Sequence, residues 1–232
     1  MFYPFYYYWD PSLLLLIPAL IISIIAQVRV KSTYAKYSQI MTRFNVMNVQ
    51  AANDILQRNG VYGVDVTIGG RALSDHYNPA KRTIRLSADP ETYRSVAAVA
   101  VAAHECGHAI QHHEGYGPLK LRSALVPVVN FVSMLSWPLL IVGLIAGMTK
   151  LAMAAAVAYG AVVLFQLVTL PVEFNASKRA LRALEGTGIL TSEELVGAKK
   201  VLNAAALTYV AATLTAVAQM LRLLMIAGRR RN

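Results

Sequence analysis

The apolar positions of this chain fall into long unbroken blocks, where a water-soluble fold would show short periodic stripes. Residues 13–28 read LLLLIPALIISIIAQV without a charge. At 1.5 Å rise per residue this block falls slightly short of a ~30 Å hydrocarbon core. The MFYPFYYYW before it completes the span, because Tyr and Trp sit well at headgroup level. A cleavable leader has a basic start and a small-residue cleavage site. Aromatics and Asp10 stand here instead, so residues 1–28 read as an uncleaved aromatic belt and first transmembrane helix. Residues 124–171 read as a tight transmembrane hairpin: runs 124–148 and 151–171 are parted only by Thr149 and Lys150. Pro127, Asn130 and Pro138 make its first arm irregular. The last block, 204–227, carries Tyr209, Thr213, Thr215, Gln219 and Arg222 and ends in Arg229, Arg230 and Arg231. Region 204–232 is therefore either an interfacial helix with a basic tail or a fourth span.

Between the blocks the period changes. Residues 31–57 keep Ile40, Met41, Phe44, Met47, Ala51, Ile55 and Leu56 at helical spacing, with Asn59-Gly60 as a stop. Residues 64–68 alternate like a strand and end at Gly69-Gly70. Two further short strands are expected at 72–77 and 82–86, joined by the turn residues Asn78-Pro79. Asp89-Pro90 is an N-cap and first-turn pair for a long helix from Glu91 to His113.

Composition agrees with this pattern. The chain has 232 residues, 56% hydrophobic and 15% charged, with mean hydropathy +0.46; soluble domains carry about 25% charged residues. So apolar a chain does not stay unfolded in water. Cys106 is its one cysteine, which excludes a disulfide scaffold. The +10 net charge is distributed by topology: 12 Lys/Arg in residues 29–123, 5 in 171–203, 4 in the final segment, Lys150 alone in the hairpin and none before Arg29. The positive-inside rule puts the N-terminus outside and residues 29–123 and 172–203 on the cytoplasmic side. Three crossings then keep the terminal arginines inside, and three are expected. No interleaving of basic and stacking aromatic residues marks a nucleic-acid binder, so nucleic acid is not expected as a partner.

The chemistry lies on the long helix, in His104-Glu105-Cys106-Gly107-His108. Histidines at i and i+4 share one face and suit one metal ion. Glu105 is placed to reach a water activated by that metal, not the metal itself. A catalytic zinc takes three protein ligands and keeps one position open. His112 lies eight residues from His104, about 12 Å along the axis, and a straight helix cannot bring both to one ion. The metzincin pattern asks for Gly three residues and His six residues after the second histidine, where this chain has Gln111 and Glu114. Glu114 stays a weak candidate. Glu173, in Pro171-Val-Glu-Phe-Asn-Ala-Ser177, is the better donor. A lone carboxylate at a membrane exit is usually a solvated boundary residue, but its pairing with the two histidines reverses that reading. His76 and Tyr77 are candidates to stabilise an oxyanion, with turn residues as the plain alternative. Cys106 points away from the metal face, and Gly107 permits close approach of another element. Asn175 and Arg179 read as structural.

The run VAAVAVAAHECGHAIQHHEGYGPLKLRS, followed by LPVEFNASKRALRALEG, resembles the YugP-type neutral zinc metallopeptidases of bacteria. The resemblance covers nearly the whole chain, including the SDHYNP and RTIRLS segments upstream. It implies an integral-membrane protease with His104, His108 and Glu173 as zinc ligands and Glu105 as the base. A more distant similarity reaches the HtpX-related and CAAX membrane proteases, which carry Glu-x-x-x-Asp at the third-ligand position. Here the fourth residue after Glu173 is Ser177, which offers a hydrogen bond to a ligand but no carboxylate.

The expected fold is thus mainly α: a multi-pass α-helical membrane protein with a small cytoplasmic α+β, zincin-like metalloprotease unit. The expected activity is zinc-dependent peptide hydrolysis with one Zn2+ per chain, acting on a peptide or protein substrate. The expected surroundings are the lipid of the cell membrane. Two rivals are an intramembrane-cleaving protease and a non-catalytic membrane scaffold with a structural or empty metal site.

Overall fold

The computed structural model describes residues 11–69, 74–87, 89 and 91–228. The aromatic N-terminus, Pro90 and the terminal arginines lie outside these, as do Ala72 and Leu73 of the expected second strand. A short 3-10 turn, Pro11–Leu15, leads into α1 (Leu16–Ser38). There follow α2 (Asn48–Arg58), β1 (Asp65–Ile68), β2 (His76–Asn78), β3 (Thr83–Leu86), α3 (Val96–His113), α4 (Gly117–Ile145), α5 (Thr149–Ala158), α6 (Gly160–Thr187) and α7 (Ser192–Gly228). The chain divides into two compact units.

The first unit comprises Ala26–Leu121 and Thr169–Tyr209. Its centre is α3, whose alanine-rich sequence lets neighbours approach from several sides: Val96, Val99, Ala100, Ala102, Ala103 and Cys106 are fully buried. The apolar run 96–103 is therefore consumed by a protein core. α2 lays Ala51, Ala52, Ile55 and Leu56 into that core, and the Cys106 thiol donates to the Ala52 carbonyl at 3.5 Å. The sheet has the order β1-β3-β2, with β1 parallel and β2 antiparallel to β3. Ile84 and Leu86 of β3 are buried beneath it, and β2 is an edge strand.

Two expectations fail here, for one reason. The helical spacing over 31–57 does not give one helix: α1 ends at Ser38 and α2 starts at Asn48. Between them the chain extends to pair with the segment before α3, through Thr42 N–H to Arg94 O and Val96 N–H to Ile40 O. Asn45 turns it back in a left-handed conformation at φ 53°, which Asn tolerates better than most residues. The same pairing holds residues 94–96 extended, so α3 starts at Val96 and not at Glu91. Ser95 caps it, accepting from Ala98 N–H at 3.1 Å, while Asp89 caps only a turn through Glu91 N–H and Thr92 Oγ1.

The second unit comprises Arg122–Val168 with the flanking stretches of α1 and α7. Gly147, at φ +69°, turns α4 into α5. Gly143 lets the two helices close: a Cβ there would lie 2.7 Å from Ala152 N. The third apolar run, expected as one helix over 151–171, is reset at Tyr159, and α6 continues past Pro171 to Thr187. A small cluster of Leu140, Ala152, Ala155, Ala156, Leu223 and Ala227 is buried, and Ser23 Oγ meets Thr215 Oγ1 at 3.3 Å.

Among the described residues, four helices are long and apolar enough to cross a membrane: Ser12–Ser38, Gly117–Ile145, Thr149–Thr187 and Ser192–Gly228. The last apolar segment belongs to a 37-residue helix that starts at Ser192, so the chain has no structural break at residue 204.

Candidate metal centre

α3 carries His104 and His108 one turn apart on one face, with ring centroids 4.8 Å apart. α6 supplies Glu173, 2% exposed, whose Oε2 lies 3.2 Å from His104 Nε2 and 3.4 Å from His108 Nε2. The three prospective ligand atoms all fall within 4.8 Å of one another. The contact that allows this is at Gly107, where a Cβ would collide with the Ala176 carbonyl of α6. Only a residue without a side chain admits the α6 backbone there.

Both histidines are held from behind. Ser177 Oγ lies 3.2 Å from His104 Nδ1. His108 Nδ1 lies 3.0 Å from Gln111 Oε1, and the polarity of that bond is settled by a chain of partners. The Arg179 guanidinium can only donate, and its Nε gives a proton to Asn175 Oδ1 at 2.7 Å. The Gln111 amide nitrogen donates to that same oxygen at 2.9 Å and to the Val172 carbonyl at 2.8 Å. Gln111 therefore turns its carbonyl to His108, whose Nδ1 must carry the proton. That leaves Nε2, on the Glu173 side, to give its lone pair to a shared ion or, with none bound, to carry a second proton toward the carboxylate. Burial opposes a charge on His108, but the Glu173 carboxylate outweighs it and raises the imidazole pKa above its ordinary value.

Glu105 lies between the two histidines in the chain and is 8% exposed. Its Oε2 accepts from the Tyr77 backbone N–H on β2 at 2.8 Å. Tyr77 thus meets the site through its amide, while its hydroxyl bonds His112 Nδ1 at 2.7 Å. Burial pushes the Tyr77 phenol up, so it keeps its proton. His76 is exposed and its Nδ1 lies 2.9 Å from the Ser74 carbonyl. Glu114 bonds Arg179 at 2.7 Å, and that guanidinium holds its carboxyl below the usual range. Neither Glu114 nor His112 belongs to the group that could hold a metal. Cys106 is fully buried, and burial pushes its thiol far up.

Sequence reasoning missed Gln111, the Tyr77 amide, and the part Asn175 and Arg179 play in orienting Gln111. Gln111 had a visible signal, since it sits three residues after His108 on the same helix face. The Tyr77 amide had none, because every non-proline residue offers one.

Two imidazole nitrogens from half-buried positions and one buried carboxylate oxygen converge into a donor set that suits zinc. The comparisons with known proteins agree. The family model described as "Putative neutral zinc metallopeptidase" matches residues 12–228, and the chain belongs to that family. The chain is also similar to "Putative membrane protease YugP" of Bacillus subtilis (strain 168), 45% identical over 213 residues, covering 91% of this chain and 94% of the relative. No solved structure matches.

Proposed function

We propose that this chain is a membrane-embedded zinc endopeptidase of the cell membrane with its active site on the cytoplasmic face. The observation that carries the reading is the meeting of His104, His108 and buried Glu173 beside a carboxylate, Glu105, that an edge strand holds in place. His104 Nε2, His108 Nε2 and the Glu173 carboxylate would hold one Zn2+. When bound, it would polarise a scissile carbonyl and acidify water. Glu105 is the proton carrier. The Tyr77 amide occupies its Oε2, so the proton taken from water rides on Oε1 and is delivered to the leaving amine. Ser177 and Gln111 keep the two imidazoles from rotating. Among the described residues β2 pairs with β3 alone, and an extended peptide can add along its other edge through groups other than the Tyr77 N–H, which Glu105 takes.

The membrane assignment rests on the four long apolar helices and on the likeness to a relative named as a membrane protease. The cytoplasmic side rests on the concentration of Lys and Arg in residues 29–123. The test is zinc per chain and peptide cleavage in detergent-purified protein. Wild type should carry about one zinc. Glu173→Ala should lose it, and Glu105→Gln should keep it while losing cleavage. Zinc retained in Glu173→Ala would remove Glu173 from the site, and cleavage by Glu105→Gln would remove the base.

A further inference from the structure

The first unit contains a second polar feature that the protease reading does not use. A cleft of about 560 Å3 opens between α1 and α7, within the size range of small-ligand sites. It is lined by Arg29, Ser32, Thr33 and Lys36 of α1, at the i, i+3, i+4 and i+7 positions of one face. Tyr37 adds its ring, and α7 contributes Lys200 and Asn203, with Ala204 and Leu207 as apolar lining. Three cations thus converge on one cleft whose lining holds no carboxylate. None of the three is ion-paired among the described residues. The packing around it is close: a Cβ on Gly197 would lie 2.7 Å from the Tyr37 ring.

Positive charge without an ion-pair partner, beside the Thr33 hydroxyl and the Asn203 amide, suits a phosphate group, with charge-assisted bonds from Arg and Lys and neutral donors between them; the Ser32 hydroxyl donates to the Arg29 carbonyl at 3.2 Å. The neighbouring sequence says which phosphate. Arg29 directly follows the apolar run 13–28, and Leu207 lies in the apolar run 204–227. On both helices the cleft sits where polar chain gives way to apolar chain, the level at which lipid headgroups lie. We infer that this cleft binds the phosphate headgroup of an anionic phospholipid, which fixes the α1 and α7 exits at the membrane surface. The lipid origin rests on the membrane reading above; the anion chemistry does not.

The experiment uses the full chain purified in detergent, with phosphatidylglycerol adducts counted by native mass spectrometry. Phosphatidylcholine and inorganic phosphate serve as comparison ligands. Arg29→Gln, Lys36→Gln and Lys200→Gln are combined in one variant. A control variant of equal charge loss combines Lys31→Gln, Arg43→Gln and Lys199→Gln, three exposed positions that do not line the cleft. One phosphatidylglycerol per wild-type chain is expected, with affinity at least about tenfold weaker in the cleft variant and unchanged in the control. Equal loss in both variants would overturn the proposal in favour of diffuse surface charge. Equal retention of phosphatidylcholine, or no lipid held, would overturn it as well. Inorganic phosphate competing as strongly as the lipid, with the same dependence on the three cations, would overturn the lipid assignment. All six substituted residues are exposed, so zinc content at the wild-type level reports an intact fold, and recovery of both variants in the membrane fraction tests the membrane reading separately.

Discussion

The two units treat apolar side chains in opposite ways. In the unit that holds the site, Ile55, Ile84, Leu86 and Val99 are wholly covered, and buried Gln111 and Asn48 have hydrogen-bond partners. In the unit built on α4 and α5, Phe131, Met134 and Ile145 stand 61%, 65% and 82% exposed, and its buried cluster is mostly alanine. The first is organised by removing apolar surface from water. The second has too few covered side chains for that, and suits a solvent as apolar as its own surface, where small residues and close backbones drive helix packing. Both units nevertheless use one device, a glycine at a helix contact: Gly107 against Ala176, and Gly143 against Ala152. What differs is the consequence. The first contact places three prospective metal ligands, whereas the second places only helices.

The largest expected effect tests that difference. Gly107→Ala drives a methyl into the Ala176 carbonyl, and backbone on both sides leaves little room to relax. Overpacking of this kind costs about 1–3 kcal/mol or more, and separating α3 from α6 carries Glu173 away from the histidines. We expect zinc per chain to fall to near zero in Gly107→Ala. Gly143→Ala should lower the thermal midpoint while leaving zinc at the wild-type level. Equal zinc loss in both variants would show that the two contacts are not separable in function.

A smaller effect is expected inside the polar unit. Gln111→Leu fills much of the same volume but removes the acceptor that holds the proton on His108 Nδ1. It also strips Val172 O and Asn175 Oδ1 of a donor. Zinc affinity should fall about 10–100-fold, as for other partners that orient metal ligands. Ser177→Ala should cost less, since a hydroxyl can donate or accept and does not fix the tautomer of His104. Competition with a chelator of known affinity measures both.

The contrast between the units also explains what was legible in the sequence. Long apolar blocks announce themselves, and so do His104 and His108, because their spacing is local to one helix. Glu173 stands out in the sequence because it ends an apolar run and differs from it by type. The segment 39–47 was misread because helical spacing of apolar residues persists there, while the pairing of residues 40–42 with 94–96 that breaks the helix is non-local. The start of α3 was misplaced by the same pairing. The Asp89-Pro90 signal is genuine but caps only a turn, whereas Ser95, a good N-cap residue by type, caps the helix. The reset at Tyr159 escaped notice because Gly160 lies within an otherwise unbroken apolar run.

The smallest effect concerns a water-exposed ion pair that the polar unit carries next to its site. Arg179 bonds both Asn175, in the chain that orients His108, and Glu114, whose carboxylate is half exposed. Because Arg179 holds the folded-state Glu114 pKa below its ordinary value, the pair adds stability that is present above the unfolded carboxyl pKa of about 4.3. That contribution is lost as pH falls and the carboxyl takes up its proton. Glu114→Gln should therefore lower stability at pH 7 by no more than about 0.2–1 kcal/mol, the range for exposed pairs, and the gap from wild type should close below about pH 4. Thermal midpoints of both proteins across that range make the measurement. Zinc affinity at pH 7 should not change, because Arg179 still donates to Asn175 without Glu114. A drop in zinc affinity would mean that the exposed carboxylate, and not the buried amide chain, positions Arg179, and that the polarity of the metal site is set from the surface.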